Sequence, residues 1–337
     1  MTLMEEKMFV KNSKIAARLL LGLMLVTAAV LKLLSIDNFE IYIYSFNIFS
    51  FTLTTVFSRL LIAAEILLGL GLIFKVHYKE VWWLTMLMMA GFTLFLVYVI
   101  AFRNDDNCNC FGDLIKLNPS ESIYKNVVSI LLLLVIRKEK DAGYRQKFKK
   151  WLTGISIAVA VILPFIVFPM DSVYNKIVSK DNNINTMAFE NSLHDSINIV
   201  KLDFIRENDT LIIQRDSLAR LDISDDKYII SYVSAGCRFC KMGSEKLMMI
   251  LERNEISEGH LKFLVWGYDE DIVEFVKETG TEDCEFWFIS PMTSLDITFG
   301  RFPVFAWTDS GALTNSSDFR GLSENEIISF LVRRTGD

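Results

Sequence analysis

Four of the chain's five cysteines fall in two close pairs, and paired thiols are the residues here whose spacing can do chemistry. Cys108 and Cys110 lie in Asn107-Cys108-Asn109-Cys110-Phe111-Gly112, between two long apolar runs; Cys237 and Cys240 lie in Gly236-Cys237-Arg238-Phe239-Cys240. Two close pairs suit redox or metal chemistry better than a disulfide framework, which spreads its cysteines along the chain. A thiolate attacks a disulfide sulfur and passes two electrons on, so one pair is a natural exchange partner for the other. A disulfide across a single intervening residue closes a small, strained ring that is easily reduced. The alternatives at Cys108/Cys110 are a structural disulfide, or a thiolate pair holding copper or zinc; against the metal, His77, His194 and His260 all stand far from both pairs in sequence. Cys284 stands alone and reads as a buried free thiol.

The elements that carry these pairs differ in kind. The 337 residues are 52% hydrophobic, high for a soluble protein, and the excess lies before residue 170. Residues 1–169 carry 18 Lys+Arg and 12 Asp+Glu, a net of +6. Residues 170–337 carry 17 and 29, a net of −12. A basic membrane part therefore precedes an acidic soluble part, and with no basic stripe in the latter no nucleic-acid partner is expected.

Apolar runs predict spans over about Ile15–Leu34, Arg59–Phe74, Val81–Phe102, Ile123–Ile136 and Trp151–Phe168, the last broken by Pro164. The first resembles a secretory signal in its basic opening, but its length, Lys32 near its end and the runs that follow favour a retained transmembrane helix. Residues 35–58, rich in aromatic side chains, predict an interfacial or re-entrant segment, and Trp82 and Trp83 an interfacial anchor. The fourth span is short, with Lys125 and Asn126 expected to snorkel to the interface. Glu65 is a carboxylate in hydrocarbon; it reads as a structural partner of Lys32 or Arg59, or as a proton-handling group beside a bound membrane quinone.

The loop from Arg137 to Lys150 has seven basic and two acidic residues, which marks it as cytoplasmic. With the basic N-terminus inside, parity places the Cys108/Cys110 loop and everything beyond a fifth span outside, both in an oxidising compartment. The expected layout is a four-helix membrane domain at 1–136, a basic cytoplasmic loop and fifth helix at 137–170, a polar linker at 171–194, and a soluble domain at 195–337. In that domain, Lys227–Ser234 predicts a buried strand running into Cys237 and Cys240 at the start of a helix. Further strands are expected at Leu261–Trp266, Cys284–Ile289 and Phe302–Trp307, and helices at Asp271–Glu278 and Glu324–Val332. A cysteine at a helix N-terminus meets unpaired N–H groups, and Arg238 adds a positive charge, so Cys237 is the expected attacking thiolate and Cys240 the resolving thiol.

With Cys237 and Cys240 at this strand-to-helix junction and Pro303 before a later strand, the domain resembles the thioredoxin-like, TlpA-type thiol-disulfide oxidoreductases; it departs from them at Gly236, where many thioredoxins carry tryptophan. The resemblance implies an α/β thioredoxin-like fold in which Pro303 is the cis-proline beside the active-site sulfurs. Lys32, Glu65 and Cys108-Asn109-Cys110-Phe111-Gly112 resemble the MauE/DoxX-like redox-associated membrane proteins, implying an α-helical transmembrane bundle. Together they imply a bacterial inner-membrane, multi-pass thiol-disulfide oxidoreductase. Electrons would pass between Cys237/Cys240 and Cys108/Cys110, in either direction, with secreted or periplasmic thiol proteins as partners and a membrane quinone as candidate cofactor. The alternative is an assembly or maturation factor that holds secreted cysteine proteins without net turnover.

Overall fold

Long apolar runs in lipid must satisfy their backbone internally, and the first part of the chain does so as helices. The computed structural model describes residues 3–103, 105, 107–112, 115, 117–139, 141–169, 184–194, 199–207 and 210–332. The chain divides into two compact units, Met1–Pro169 and Met170–Asp337.

The first unit holds α1 (Leu3–Leu34), α2 (Ile36–Tyr44), α3 (Phe51–Phe74), α4 (Tyr78–Phe102), α5 (Pro119–Ile136) and α6 (Gln146–Val167). All but α2 are long and apolar enough to cross a membrane. At 18 residues α5 reaches about 27 Å, just short of the hydrocarbon thickness. Its N-terminus is closed by a capping box between Asn118 and Glu121. Its last carbonyls are taken by α4: Tyr78 Oη donates to Ile136 O and Trp82 Nε1 to Leu133 O, both at 2.8 Å. Trp82 is therefore a buried cap for a neighbouring helix rather than the interfacial anchor expected; only Trp83 is exposed.

The stretch expected as an interfacial segment instead folds as α2 and the first turns of α3. Its Glu40 carboxylate pairs with Arg59, whose Nε and Nη2 also donate to Phe168 O at 3.3 and 3.0 Å, fastening the end of α6 to the bundle. Pro164 sits inside α6 without ending it.

The second unit opens with α7 (Thr186–His194). Of the expected linker, residues 171–183 lie outside the described residues. From Ile184 on the chain belongs to the fold, because Ile184 and Phe189 are buried in its core. There follow β1 (Ile199–Glu207), β2 (Thr210–Asp216), β3 (Lys227–Ser234), α8 (Arg238–Arg253), β4 (Leu261–Trp266), α9 (Asp269–Thr279), β5 (Glu285–Ile289), α10 (Pro291–Thr298), β6 (Val304–Asp309), β7 (Ala312–Ser317) and α11 (Glu324–Leu331). The seven strands run in the order β2-β1-β5-β4-β3-β6-β7. The β3–β4 and β4–β5 pairs are parallel and the rest antiparallel.

Central β3 is buried on both faces, which is why it reads as a near-continuous apolar run. Ile230 and Tyr232 pack with Phe189 and Ile297, and Phe263 on β4 stacks on Phe286 of β5 against Phe275 of α9. The strands β1 and β2 and the helices α7 and α10 had no expected counterpart. The fold is a helical membrane bundle followed by a thioredoxin-like α/β domain, as the resemblance implied.

Gly112 ties the loop after α4 to the end of α1. Its φ of 67° lies in the left-handed region. A Cβ there would collide with Ser35 Oγ and lie 2.8 Å from Leu31 O, so only glycine lets the loop sit this close. Gly112→Ala should cost about 2–4 kcal/mol in local stability, combining backbone strain and overpacking. The expected readout is faster alkylation of Cys108 by a small maleimide in Gly112→Ala, partly reversed by adding Ser35→Ala; an unchanged rate would show that the loop is not held here.

Candidate functional site

The soluble pair sits where β3 ends. Ser234 O accepts from Cys237 N at 3.0 Å, closing the turn that aims the chain into α8. Cys237 is the N-cap of α8, and Cys240 N donates to its sulfur at 3.3 Å. Cys237 is half-buried and Cys240 fully buried. The Cys240 thiol donates to Cys237, and with the backbone N–H groups of Cys240 and Phe239 it lowers the Cys237 pKa to about 7. Burial and the neighbouring thiolate push Cys240 well above the usual thiol range. The backbone N–H groups at the helix N-terminus thus contribute to the lowering at Cys237.

The Phe302–Pro303 peptide is cis. Pro303 lies against α8 one turn past Cys240, its Cγ 3.4 Å from where a Cβ on Gly243 would stand. A Cβ on Gly236 would meet nothing within 4 Å, so the place held by tryptophan in many thioredoxins is open. Cys284 lies apart: it is buried, hydrogen-bonds Met248 Sδ at 3.6 Å, and burial pushes it up to about 12, a thiol kept inert.

The membrane pair is built from the loop between α4 and α5. Asn109 adopts a left-handed φ of 50°, which asparagine tolerates. Gly112 N donates to Asn109 O at 3.1 Å, and Cys108 N to Leu117 O at 3.1 Å. Cys108 is only 2% exposed; its sulfur lies 2.9 Å from Ser122 Oγ and receives Cys110 N at 3.4 Å. The Cys110 thiol, then Ser122 and the Cys110 backbone, stabilise a thiolate on Cys108 and, against the opposing effect of burial, lower its pKa to about 6. Cys110, which donates that hydrogen bond, is pushed far up and stays protonated. Each pair thus couples one stabilised thiolate to one protonated partner.

Both membrane cysteines line a cavity of about 390 Å³ within the bundle, within the usual range of small-molecule pockets. Its wall is aromatic, with Phe39, Phe46, Phe92 and Phe95. In it Lys32 and Glu65 form a buried ion pair, so of the two partners considered for Glu65 the structure selects Lys32; Arg59 is taken by Glu40. Lys32 Nζ also lies over Phe92 and Phe39, at 5.4 and 5.6 Å.

Sequence reasoning missed Ser122 and misplaced Lys125 and Asn126. Both line the cavity: Asn126 is buried there, and Lys125 Nζ sits 4.5 Å over the Phe111 ring of the preceding loop. The signal was present: Ser122, Asn126 and Ser129 recur at helical spacing along one face of α5, and all three are buried.

Two outcomes follow. Alkylation of the reduced protein should rise with pH through midpoints near 6 for Cys108 and near 7 for Cys237, since the thiolate fraction grows with pH; Cys240→Ala should move the Cys237 midpoint upward by removing its hydrogen-bond donor. Lys32→Met strands a buried carboxylate and should lower stability by about 3–5 kcal/mol, whereas Lys32→Met/Glu65→Leu should recover most of it. Thermal unfolding in detergent reads this, and equal losses in the single and double variants would show that the ion pair is not what holds these helices.

Residues 10–137 match the family model of methylamine utilisation protein MauE. The chain is also similar to protein TlpB of Flavobacterium psychrophilum, 26% identical over 307 residues, which covers 79% of this chain and 80% of that protein. No solved structure matches it significantly. The chain is therefore a multi-pass membrane protein whose N-terminal part is similar to MauE and whose C-terminal part is a thioredoxin-like domain.

Proposed function

We propose that this protein is a thiol-disulfide oxidoreductase that moves electrons from secreted thiol proteins through Cys237/Cys240 to Cys108/Cys110, and from there to a membrane quinone. The observation that carries this reading is the matched asymmetry of the two pairs, each holding one thiolate stabilised by its partner's thiol. The Lys- and Arg-rich loop from Arg137 to Lys150 and the count of five spans support an inner-membrane protein with both pairs on the periplasmic side.

The chemistry follows from which sulfur is reachable and which leaves well. A substrate thiolate attacks Cys237 in the Cys237–Cys240 disulfide, and a second substrate thiolate displaces it, leaving the substrate oxidised and Cys237/Cys240 as a dithiol. The Cys237 thiolate then attacks Cys110, the less buried residue of the membrane disulfide. The Cys108–Cys110 bond breaks, a Cys110–Cys237 bond forms, and Cys108 departs as a thiolate. A low-pKa thiol leaves faster, which suits Cys108 to that role. Cys240 gives up its proton and attacks Cys237; Cys110 leaves and is protonated. Two electrons have moved to the membrane pair, and Cys237/Cys240 is again a disulfide.

Restoring the membrane pair needs a two-electron, two-proton acceptor, which a quinone supplies when bound. The cavity fits such a ring in volume and aromatic lining, and both cysteines line it. Lys32 and Glu65 place a charged pair in the same cavity, suited to holding a proton during the exchange.

Trapping tests the relay. Cys240→Ala should leave Cys237 in mixed disulfides with secreted proteins, and Cys108→Ala/Cys240→Ala should hold a Cys110–Cys237 disulfide after mild oxidation, seen as a linked peptide by mass spectrometry. If the folded, membrane-inserted variants yield neither, the relay is wrong; substrate adducts without the internal link would favour a holding role in maturation of secreted cysteine proteins.

A further inference from the structure

Asn126 is 1% exposed and lines the cavity, yet neither its Nδ2 nor its Oδ1 has a hydrogen-bond partner among the described residues. A buried polar atom left without a partner is costly, so a side chain with two such atoms points to something that satisfies them. In the same cavity Glu65 Oε2 is also unpartnered, its other oxygen being held by Lys32. The rest of the wall is chiefly apolar. An amide both donates and accepts, whereas a carboxylate oxygen only accepts.

We propose that the Asn126 amide, with Glu65 Oε2 as second acceptor, is the polar recognition site for the oxygens of a quinone ring held between the cavity's aromatic side chains. The assignment rests on the quinone link proposed above and makes Asn126 the specificity-determining residue of that site. Its donor suits a ring carbonyl, which can only accept. Its Oδ1 and Glu65 Oε2 suit the hydroxyls of the reduced ring, which also donate. The Asn126 amide can therefore hold a ring oxygen in either redox form, and Glu65 Oε2 adds an acceptor for the reduced form alone. The exchange balances: the Cys108 thiolate and the Cys110 thiol lose two electrons and one proton as their S–S bond forms, water supplies the second proton, and the two ring carbonyls become hydroxyls.

The test is binding of menadione against 2-methylnaphthalene, the same ring system without the oxygens, to the full chain in lipid nanodiscs, corrected for partition into empty nanodiscs. Wild type should bind menadione about tenfold more tightly, the equivalent of one to two buried hydrogen bonds. Asn126→Leu, of similar shape, should bring the two affinities to within about twofold while leaving 2-methylnaphthalene binding unchanged, and Asn126→Ala should behave likewise. Both variants should unfold at or above the wild-type temperature, since the amide makes no bond within the described fold. Equal affinities in wild type, retained discrimination in the variants, or failure of the variants to fold would each overturn the assignment. Discrimination by wild type without a Cys110–Cys237 trap would remove the relay and leave the ring site standing; the trap without discrimination would do the reverse.

Discussion

The membrane unit depends on a charge pair that hydrocarbon would not accept singly. Lys32 on α1 and Glu65 on α3 are both buried, and either alone would be an uncompensated charge in a low-dielectric interior. Their pairing fixes α1 against α3. The two helices approach closely enough that a Cβ on Gly22 or on Gly69 would lie 2.8 Å from the other's carbonyl oxygen. With α1 so placed, its end at Leu31 and Ser35 becomes the surface on which Gly112 rests, and Gly112 sets the loop that presents Cys108 and Cys110 to the cavity. Fold and site share a cause here: the ion pair that holds the helices also forms part of the cavity wall.

The two cysteine pairs reach the same electronic arrangement by different local means. Cys237 is stabilised at a helix N-terminus, where backbone N–H groups have no partner within the helix. Cys108 stands before its helix, in a loop turned by Asn109, and draws instead on Ser122 in the first turn of α5. In both, the partner cysteine donates to the thiolate and is itself held protonated. One sulfur of each pair is therefore the readier anion, and the other needs a base before it can attack. Cys284, buried and hydrogen-bonded to Met248, with burial and the nearby Glu258 and Asp283 carboxylates raising its pKa, has the opposite character.

Much of this was legible in the sequence, for identifiable reasons. Apolar runs long enough to cross a bilayer, the strand-to-helix junction at Cys237 and the lone proline before β6 are local signals, and they gave the fold class. Other features depend on partners distant in sequence. Trp82 looks like an interfacial anchor until Leu133 is seen to take its N–H. Asn126 looks like a snorkelling side chain until α5 is seen to turn it into the cavity. The polar segment before β1 looked like a linker because Ile184 and Phe189 are sparse apolar residues in a polar stretch, and only the assembled core shows them buried. Helix–helix register, which decided between Lys32 and Arg59 as partner of Glu65, is likewise set by packing.

The central claim is that electrons leave Cys237/Cys240 through Cys108/Cys110 into the quinone pool. Its most direct measurement is the redox state of both pairs in intact cells expressing the full chain, read by acid quenching and differential thiol labelling, with the quinone pool present and depleted. The account predicts disulfides in both pairs when quinone is present, and accumulation of both as dithiols when it is removed. Pairs that stay oxidised without quinone, or that are both reduced in its presence, would contradict it.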